Sequence, residues 1–252
     1  MKIKLLSVTP AALELIYAAG RQCYLDGWVG DLWVEDLDDV CLVNPKDKEL
    51  ISTPEMVKLV NYLKESGHTS VLEHVKFTFA IDDVSRALTH QLVRHRLASY
   101  SQQSQRYVKM SVEFSLNNFI TPPKIKNNSE ALAVYESVLR HIQATYNRLI
   151  ALNIDPEDAR YVFPNAAKTR IIVTMNCVAL SHFFGLRCCT LAQWEIRNLA
   201  NKMLSICKEE LPCVFEDSGS RCVSLGYCPE SKKRSCGKYP IKKEALIHLK
   251  DF

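Results

Sequence analysis

Fourteen consecutive residues, Arg94–Tyr107 (RHRLASYSQQSQRY), hold three arginines, a histidine, three serines, three glutamines and two tyrosines, with no acid among them. A segment of this kind does not build a hydrophobic core. The rest of the chain must supply the core and present the segment. Arginine offers a planar fork of donors that matches phosphate or carboxylate oxygens. Serine and glutamine add short and long neutral hydrogen-bonding arms. A solvated basic loop has a similar charge. Solvated faces, however, normally mix in Lys, Glu and Asp, whereas these side chains are of the kinds that fix an anionic, multi-oxygen ligand.

On either side lies enough apolar sequence to enclose it. With 252 residues, 47% of them hydrophobic and 24% charged, the chain has the balance of a globular enzyme. A net charge of +4 suits small anionic molecules and does not by itself indicate nucleic acid. No window holds the eighteen or so apolar residues that span a bilayer. MKIKLLSVTP has too short an apolar run for a signal peptide. The expectation is a cytoplasmic protein, away from membranes, with its ten cysteines reduced.

In chain order, residues 2–8 read as a strand, and Thr9-Pro10 opens a helix with Leu13, Ile16 and Tyr17 on one face. Residues 26–48 read as loop, with Trp28 and Trp33 as lid or interface packing. Ser52-Thr53-Pro54-Glu55 caps a helix whose stripe is Met56, Leu59, Val60 and Leu63, with Gly67 as its stop. Alternation of Val75, Phe77, Phe79 and Ile81 predicts a strand that turns at Asp82-Asp83. His68 and His74 just before it read as structural residues when taken alone.

A helix over 84–95 then delivers Gln91 and Arg94 to a loop that leads into a strand at YVKM. Residues 117–128 read as loop. Ser129–Asn153 is the longest helix, with Leu132, Tyr135, Leu139, Ile142, Tyr146 and Leu149 at helical spacing. Asp155-Pro156 caps a short helix carrying Arg160, and residues 168–175 read as a strand. Two helices follow, the second opened by a capping box of Thr190 and Gln193. The fold class is α+β: one domain over 1–212 combining a long-helix layer with a small mixed or antiparallel sheet, then a loosely ordered Cys-rich tail over 213–252. No G-x-G-x-x-G follows a strand, so no dinucleotide is held by a Rossmann turn.

Two chemistries compete around Arg187-Cys188-Cys189. Arg187 closes the apolar run HFFGLR, where its charge needs either a structural carboxylate such as Glu195 or a ligand. A nucleophilic Cys188 beside a cation is the other possibility, weighed against inert packing. Cys222, Cys228 and Cys236 lack the C-x-x-C pairs and histidines of a structural zinc site, and no metal is expected.

The stretch itself, RHR-x-x-S-x-x-x-x-S-x-R from Arg94 to Arg106, resembles the signature of the flavin-dependent thymidylate synthases without a gap or substitution. GHTSVLEH, HQLVRHR, DARYVFP, NCVALSHFFGLR and AQWEIR resemble further blocks of that family in the same order. The resemblance implies non-covalent FAD near Ser70, Glu73, Arg94, His95, Arg96, Gln102, Asn176, Val178 and His182. It implies deoxyuridine monophosphate held by Gln91, Leu92, Val93, Arg94, Gln102, Gln103, Ser104, Gln105, Arg106, Arg160 and Arg187, with Ser104 and Arg106 about the phosphate. Arg187 would ionise the uracil imide. Methylenetetrahydrofolate and NADPH are the implied co-substrates, and a homotetramer with shared active sites the implied assembly. Gln102 stands where many members have Glu, and Val178 where many have Arg. A single-stranded nucleic-acid-binding module, gripping phosphates with the arginines and stacking bases on Tyr100 and Tyr107, and another flavoprotein acting on pyrimidine nucleotides are the alternatives.

Overall fold

A computed structural model describes residues 1–36, 39–44, 49–108 and 113–248. The elements are β1 (Lys2–Val8), α1 (Ala12–Gln22), β2 (Trp33–Asp36), β3 (Asp39–Leu42), α2 (Thr53–Glu65), β4 (Lys76–Ser85), α3 (Arg86–Leu92) and β5 (Ala98–Gln102). They continue with α4 (Pro123–Lys126), α5 (Ser129–Ala151), α6 (Pro156–Ala159), β6 (Lys168–Asn176), α7 (Cys177–Arg187), α8 (Trp194–Glu210), α9 (Pro212–Phe215), α10 (Arg221–Leu225) and α11 (Lys242–His248). A 3-10 turn, Thr69–His74, precedes β4. The fold is α+β, with a four-stranded sheet in the order β1-β4-β6-β5 and an antiparallel pair, β2-β3, in which Trp33 faces Leu42.

The chain divides into two compact units, interleaved in sequence. One comprises residues 1–4, 80–96 and 100–173; the other comprises 5–79, 97–99 and 174–252. In the first, α5 buries Leu139 against Phe119 and Ala167. Its period of 3.6 places Tyr135 on the same side, where the hydroxyl donates to the carbonyl of Ile120 at 2.9 Å. Tyr146 meets Phe163 with ring centroids 4.5 Å apart. In the second unit, Tyr17, Leu32, Leu42 and Met56 form one cluster. Phe77, Phe184 and Phe215 form another through edge-on contacts at 5.6 and 6.0 Å.

Several local expectations are corrected. The 26–48 region contains the β2-β3 pair, with Trp33 packed on the Tyr17 cluster and Trp28 71% exposed; Pro45 lies outside the described residues. Ser52 makes no side-chain cap, and the Glu55 carboxylate instead accepts from the Tyr17 hydroxyl at 3.1 Å. Asp82 and Asp83 are not a turn out of the strand. β4 runs through them to Ser85, with Asp83 at φ 58°, while Arg170 and Lys168 pair with the two carboxylates at 3.1 Å each.

The helix expected over 84–95 is shorter: the Ser85 hydroxyl caps its start by accepting from Leu88 N–H, and after Leu92 the chain leaves the helix in a turn closed by His95 N–H on Leu92 O. The stretch read as loop contains β5. Tyr107 and Val108 are in a turn, and Lys109 and Met110 lie outside the described residues. The 117–128 segment, also read as loop, contains α4. Asp155 makes no side-chain cap. The cap of α8 is Gln193 alone, whose Oε1 accepts from Glu195 and Ile196 N–H at 2.9 and 3.1 Å. Within 213–248, α10 and α11 are formed, and Cys228 N–H donates to Pro240 O at 2.7 Å.

Candidate active site

In the first unit, α3 ends in a tight turn that carries Arg94, His95 and Arg96. Arg94 N–H reaches Gln91 O at 3.3 Å and His95 N–H reaches Leu92 O at 3.1 Å. The Tyr100 hydroxyl lies against the carbonyls of Leu92 and His95, at 2.8 and 2.9 Å, and pins the turn. Burial pushes that phenol up to about 12, so it remains a donor. Leu92 is fully buried; Val93, Arg94 and Arg96 are exposed, and Gln91 and His95 half-buried.

Gln102 is anchored from below. Its Nε2 donates to Thr89 Oγ1 at 2.9 Å and to Thr169 Oγ1 at 3.3 Å, and both threonines are buried. The Gln103 N–H bonds Arg170 O at 2.9 Å. The Ser104 hydroxyl accepts from Arg106 N–H at 3.2 Å, which curls the chain after β5. Gln105 Oε1 accepts from a terminal nitrogen of Arg86 at 3.0 Å.

Arg86, Gln105 and Arg160 line a cavity of about 530 Å³ together with His90, Tyr161 and Asn165. Burial, and then the charge of Arg160, draw Arg86 below the ordinary guanidinium value. Two like charges held at one half-buried cavity favour an anion between them. Glu157 holds the flank: its carboxylate pairs with Arg106 Nε at 2.7 Å and its carbonyl accepts from Arg160 Nε at 2.9 Å. A neighbouring cavity of about 290 Å³ is lined by Gln103, Ser104, Gln105, Lys168 and the two aspartates of β4. Sequence reasoning missed Arg86, His90 and Glu157. The available signal was the i, i+4 spacing of Arg86 and His90, which places both on one helix face.

In the second unit, the Thr69–His74 turn packs against α7. It carries Ser70 and Glu73, both exposed, beside α7, which follows Asn176 and carries Val178, His182 and Arg187. Asn176 caps α7, its Oδ1 accepting from Ala179 N–H at 2.8 Å. What its carboxamide offers a ligand is therefore the NH2 donor pair. Val178 is half-buried and His182 exposed. Arg187 ends α7 half-buried, and burial draws it below the ordinary value. Cys188 follows it; burial pushes the thiol up to about 11, which keeps it neutral. All ten cysteines are free thiols. Among the described residues no group of three or more His, Cys, Asp or Glu side chains is placed to share a metal ion, and no helix is long and apolar enough to cross a membrane.

The donor set of both units, arginines, amides and hydroxyls with few acids, is that of a protein handling nucleotide-like anions. Residues 4–213 match the family model described as thymidylate synthase complementing protein. The flavin-dependent thymidylate synthase of Nitratidesulfovibrio vulgaris is 46% identical over 249 residues, which covers 96% of each chain. That of Clostridium tetani is 44% identical over 264 residues, covering 98% of this chain and 97% of its own. The chain belongs to the flavin-dependent thymidylate synthase family. Its fold is also that of the crystal structure of a Helicobacter pylori member complexed with FAD and dUMP, with a TM-score of 0.65 at 23% identity, covering 87% of this chain and 100% of that one.

Proposed function

We propose that the protein reductively methylates deoxyuridine monophosphate to thymidylate, with methylenetetrahydrofolate as one-carbon donor and NADPH as reductant through non-covalent FAD. The observation that carries this reading is the cavity where Arg86, Gln105 and Arg160 converge beside the Arg94–Arg106 signature. It offers the charge and forked geometry that a nucleoside monophosphate requires.

When bound, FAD supplies the redox chemistry, carrying reducing equivalents from NADPH to the pyrimidine carbon. The residues present fit it. Arg94, His95 and Arg96 stand on an exposed turn, Asn176 has its NH2 group to give, and His182, Ser70 and Glu73 lie on exposed positions of the α7 helix and its neighbouring turn. Gln91, Leu92, Val93 and Gln102–Arg106 are assigned to the nucleotide, Leu92 and Val93 through their backbone. Val178 serves the flavin by its backbone alone.

Arg187 activates the pyrimidine. A guanidinium stays protonated at working pH even when burial lowers its pKa, so it is a poor base and a good stabiliser of an anion. Placed at the uracil imide, it favours the ionised ring, which is the electron-rich form that accepts a carbon unit. No thiol is used as nucleophile. The working assembly in this reading is a homotetramer with active sites shared between subunits, in the cytoplasm.

The test is to purify the protein, denature it by heat, look for FAD in the soluble fraction, and assay thymidylate formation from the three substrates. Absence of flavin even after reconstitution, or turnover that is independent of NADPH, sinks the reading. Light scattering reads the assembly.

A further inference from the structure

A further cavity, of about 510 Å³, lies within the second unit. One wall is the end of α7 and the loop after it, residues 185–192, and includes Arg187. The other wall is built from the C-terminal segment between Ser220 and Tyr239, beyond the 4–213 region that matches the family model. This segment is knit to the first wall. α10 packs against α7, and the Arg221 stem lies over Gly185, where a Cβ would stand 3.5 Å from Arg221 Cγ. Cys236 is hydrogen-bonded by the backbone N–H of Lys238 and by the hydroxyl of Thr190, next in sequence to Cys189.

The charges of the lining are unbalanced. Arg187, Arg221, Arg234 and Lys238 face a single acid, Glu230, and Glu230 is already paired with Arg234 at 3.5 Å. Arg221 and Lys238 are left as cations with no carboxylate of the lining to offset them, beside Leu186, Leu191 and Tyr239. Cations over an apolar, partly aromatic wall suit a ligand with a flat ring system and a negatively charged end. The five thiols of the lining do not form a metal site among the described residues.

We infer that the C-terminal segment is a binding wall for the anionic end of a co-substrate, with Arg221 and Lys238 as its contacts. The shared chemistry is a carboxylate or phosphate on an aromatic-headed molecule, and under the function proposed above its sources are the folate's carboxylates or the phosphates of NADPH. The inference rests on that reading for the identity of the ligand, not for the existence of the cavity.

The test is direct binding to the FAD-loaded protein. Tetrahydrofolate and NADP+ serve as separate probes, with deoxyuridine monophosphate as control, each titrated by calorimetry into wild type and Arg221→Gln/Lys238→Gln. Both positions are exposed, so the variant is expected to fold; should it lose its flavin or its melting transition, the singles Arg221→Gln and Lys238→Gln replace it, with Arg221→Lys as the rescue. The expected result is a loss of about tenfold or more for one probe, rescued in part by Arg221→Lys, with the nucleotide control unchanged. Unchanged affinity for both probes, or failure of both to bind wild type, overturns the inference. A wild type that binds a probe through Arg221 but makes no thymidylate overturns the functional reading and leaves this wall standing.

Discussion

Arg106 and Glu157 form a single-point ion pair: Nε of the guanidinium meets Oε2 of the carboxylate at 2.7 Å. The pair uses the side of the fork and leaves the two terminal nitrogens for a ligand. The same Glu157 holds Arg160 through its backbone carbonyl, so one short segment aims two arginines. Both Arg106 and Glu157 are about half exposed, so the pair adds little stability, roughly 0–1 kcal/mol. Its value lies in orientation.

Glu157→Gln should therefore leave the melting temperature nearly unchanged. It should raise the KM for deoxyuridine monophosphate about three- to tenfold, the scale of one misaimed charge-assisted bond. Arg160 keeps its carbonyl partner in this variant. An unchanged KM would show that Glu157 does not aim the arginine, and a fall in KM that it competes with the phosphate.

Gln102 stands where the resemblance leads one to expect Glu, and its surroundings explain the amide. The Thr89 hydroxyl donates to Arg86 O at 3.1 Å, so toward Gln102 it can only accept. A carboxylate there would face an acceptor with an acceptor, unless Thr89 gave up its bond to the backbone. Gln102→Glu should cost about 1–3 kcal/mol. The sign with pH is fixed by the same geometry. Facing acceptors favours the protonated acid and raises its folded pKa, so the stability present in mild acid is lost as the pH rises past the unfolded value. A thermal melt of the variant that is as stable near neutrality as in mild acid counts against this account.

The parts of the fold that could be read from the sequence are those whose pattern is local. α5 appears in the 3.6 spacing of Leu139 and Tyr146, and β4 in the alternation of Phe77, Phe79 and Ile81. β5 was not legible, because Ala98–Gln102 has the composition of a loop; partners distant in sequence, such as Arg170 O for Gln103 N–H at its end, help make it extended. The β2-β3 pair was hidden for the same reason, with Asp36 opposite Asp39 where a hydrophobic pattern would be sought. By residue type Asp83 reads as a turn, although its partner Lys168 is supplied by another strand. The arginine-rich segment was visible as chemistry, yet Arg86 was not. It meets Arg160 across 74 positions of sequence, and no local window contains both.

Cys188 tests whether the cation before it makes a nucleophile. Burial holds the thiol at about 11, so at working pH only a small fraction is thiolate. Cys188→Ala should fold, keep its flavin and retain most of its turnover. The check is kcat together with the flavin spectrum; a variant that stays yellow and loses turnover a hundredfold returns Cys188 to the mechanism.

Asn176 has two roles that substitutions separate. Its Oδ1 caps α7, and in the proposed site its NH2 serves the flavin. Asn176→Asp keeps a good cap acceptor at a helix N-terminus and removes the donors. Asn176→Ala removes both. The expected pattern is weaker FAD binding in both variants, but a loss of about 1 kcal/mol of stability in the alanine variant only. Calorimetric melts of the two FAD-free proteins read the cap, and FAD titration reads the donor. Wild-type FAD affinity in the Asp variant would restrict Asn176 to capping.

Arg187 is where structural and catalytic roles separate most clearly. A structural role needs an acid, and α8, packed on α7, carries a buried one in Glu195 at 2% exposure. A catalytic role needs a cation that stays charged in a partly dry place, and burial at Arg187 lowers its pKa without bringing a guanidinium near neutrality. Such a cation is worth more to a forming anion than it would be in water, since the donor is already oriented and the field is less screened. Removing one donor of this kind typically costs roughly a hundred- to a thousandfold in turnover. Arg187→Ala is then expected to be a folded, yellow protein whose flavin NADPH still reduces, with thymidylate formation down by that factor and nucleotide binding weakened. Arg187→Lys should recover part of the nucleotide affinity but little of the rate, because a point charge cannot reproduce the fork. Raised pH should partly restore Arg187→Ala, since a uracil imide that ionises unaided no longer needs the cation. Loss of flavin or of solubility in both variants, with no pH rescue, would instead make Arg187 a buried partner of Glu195.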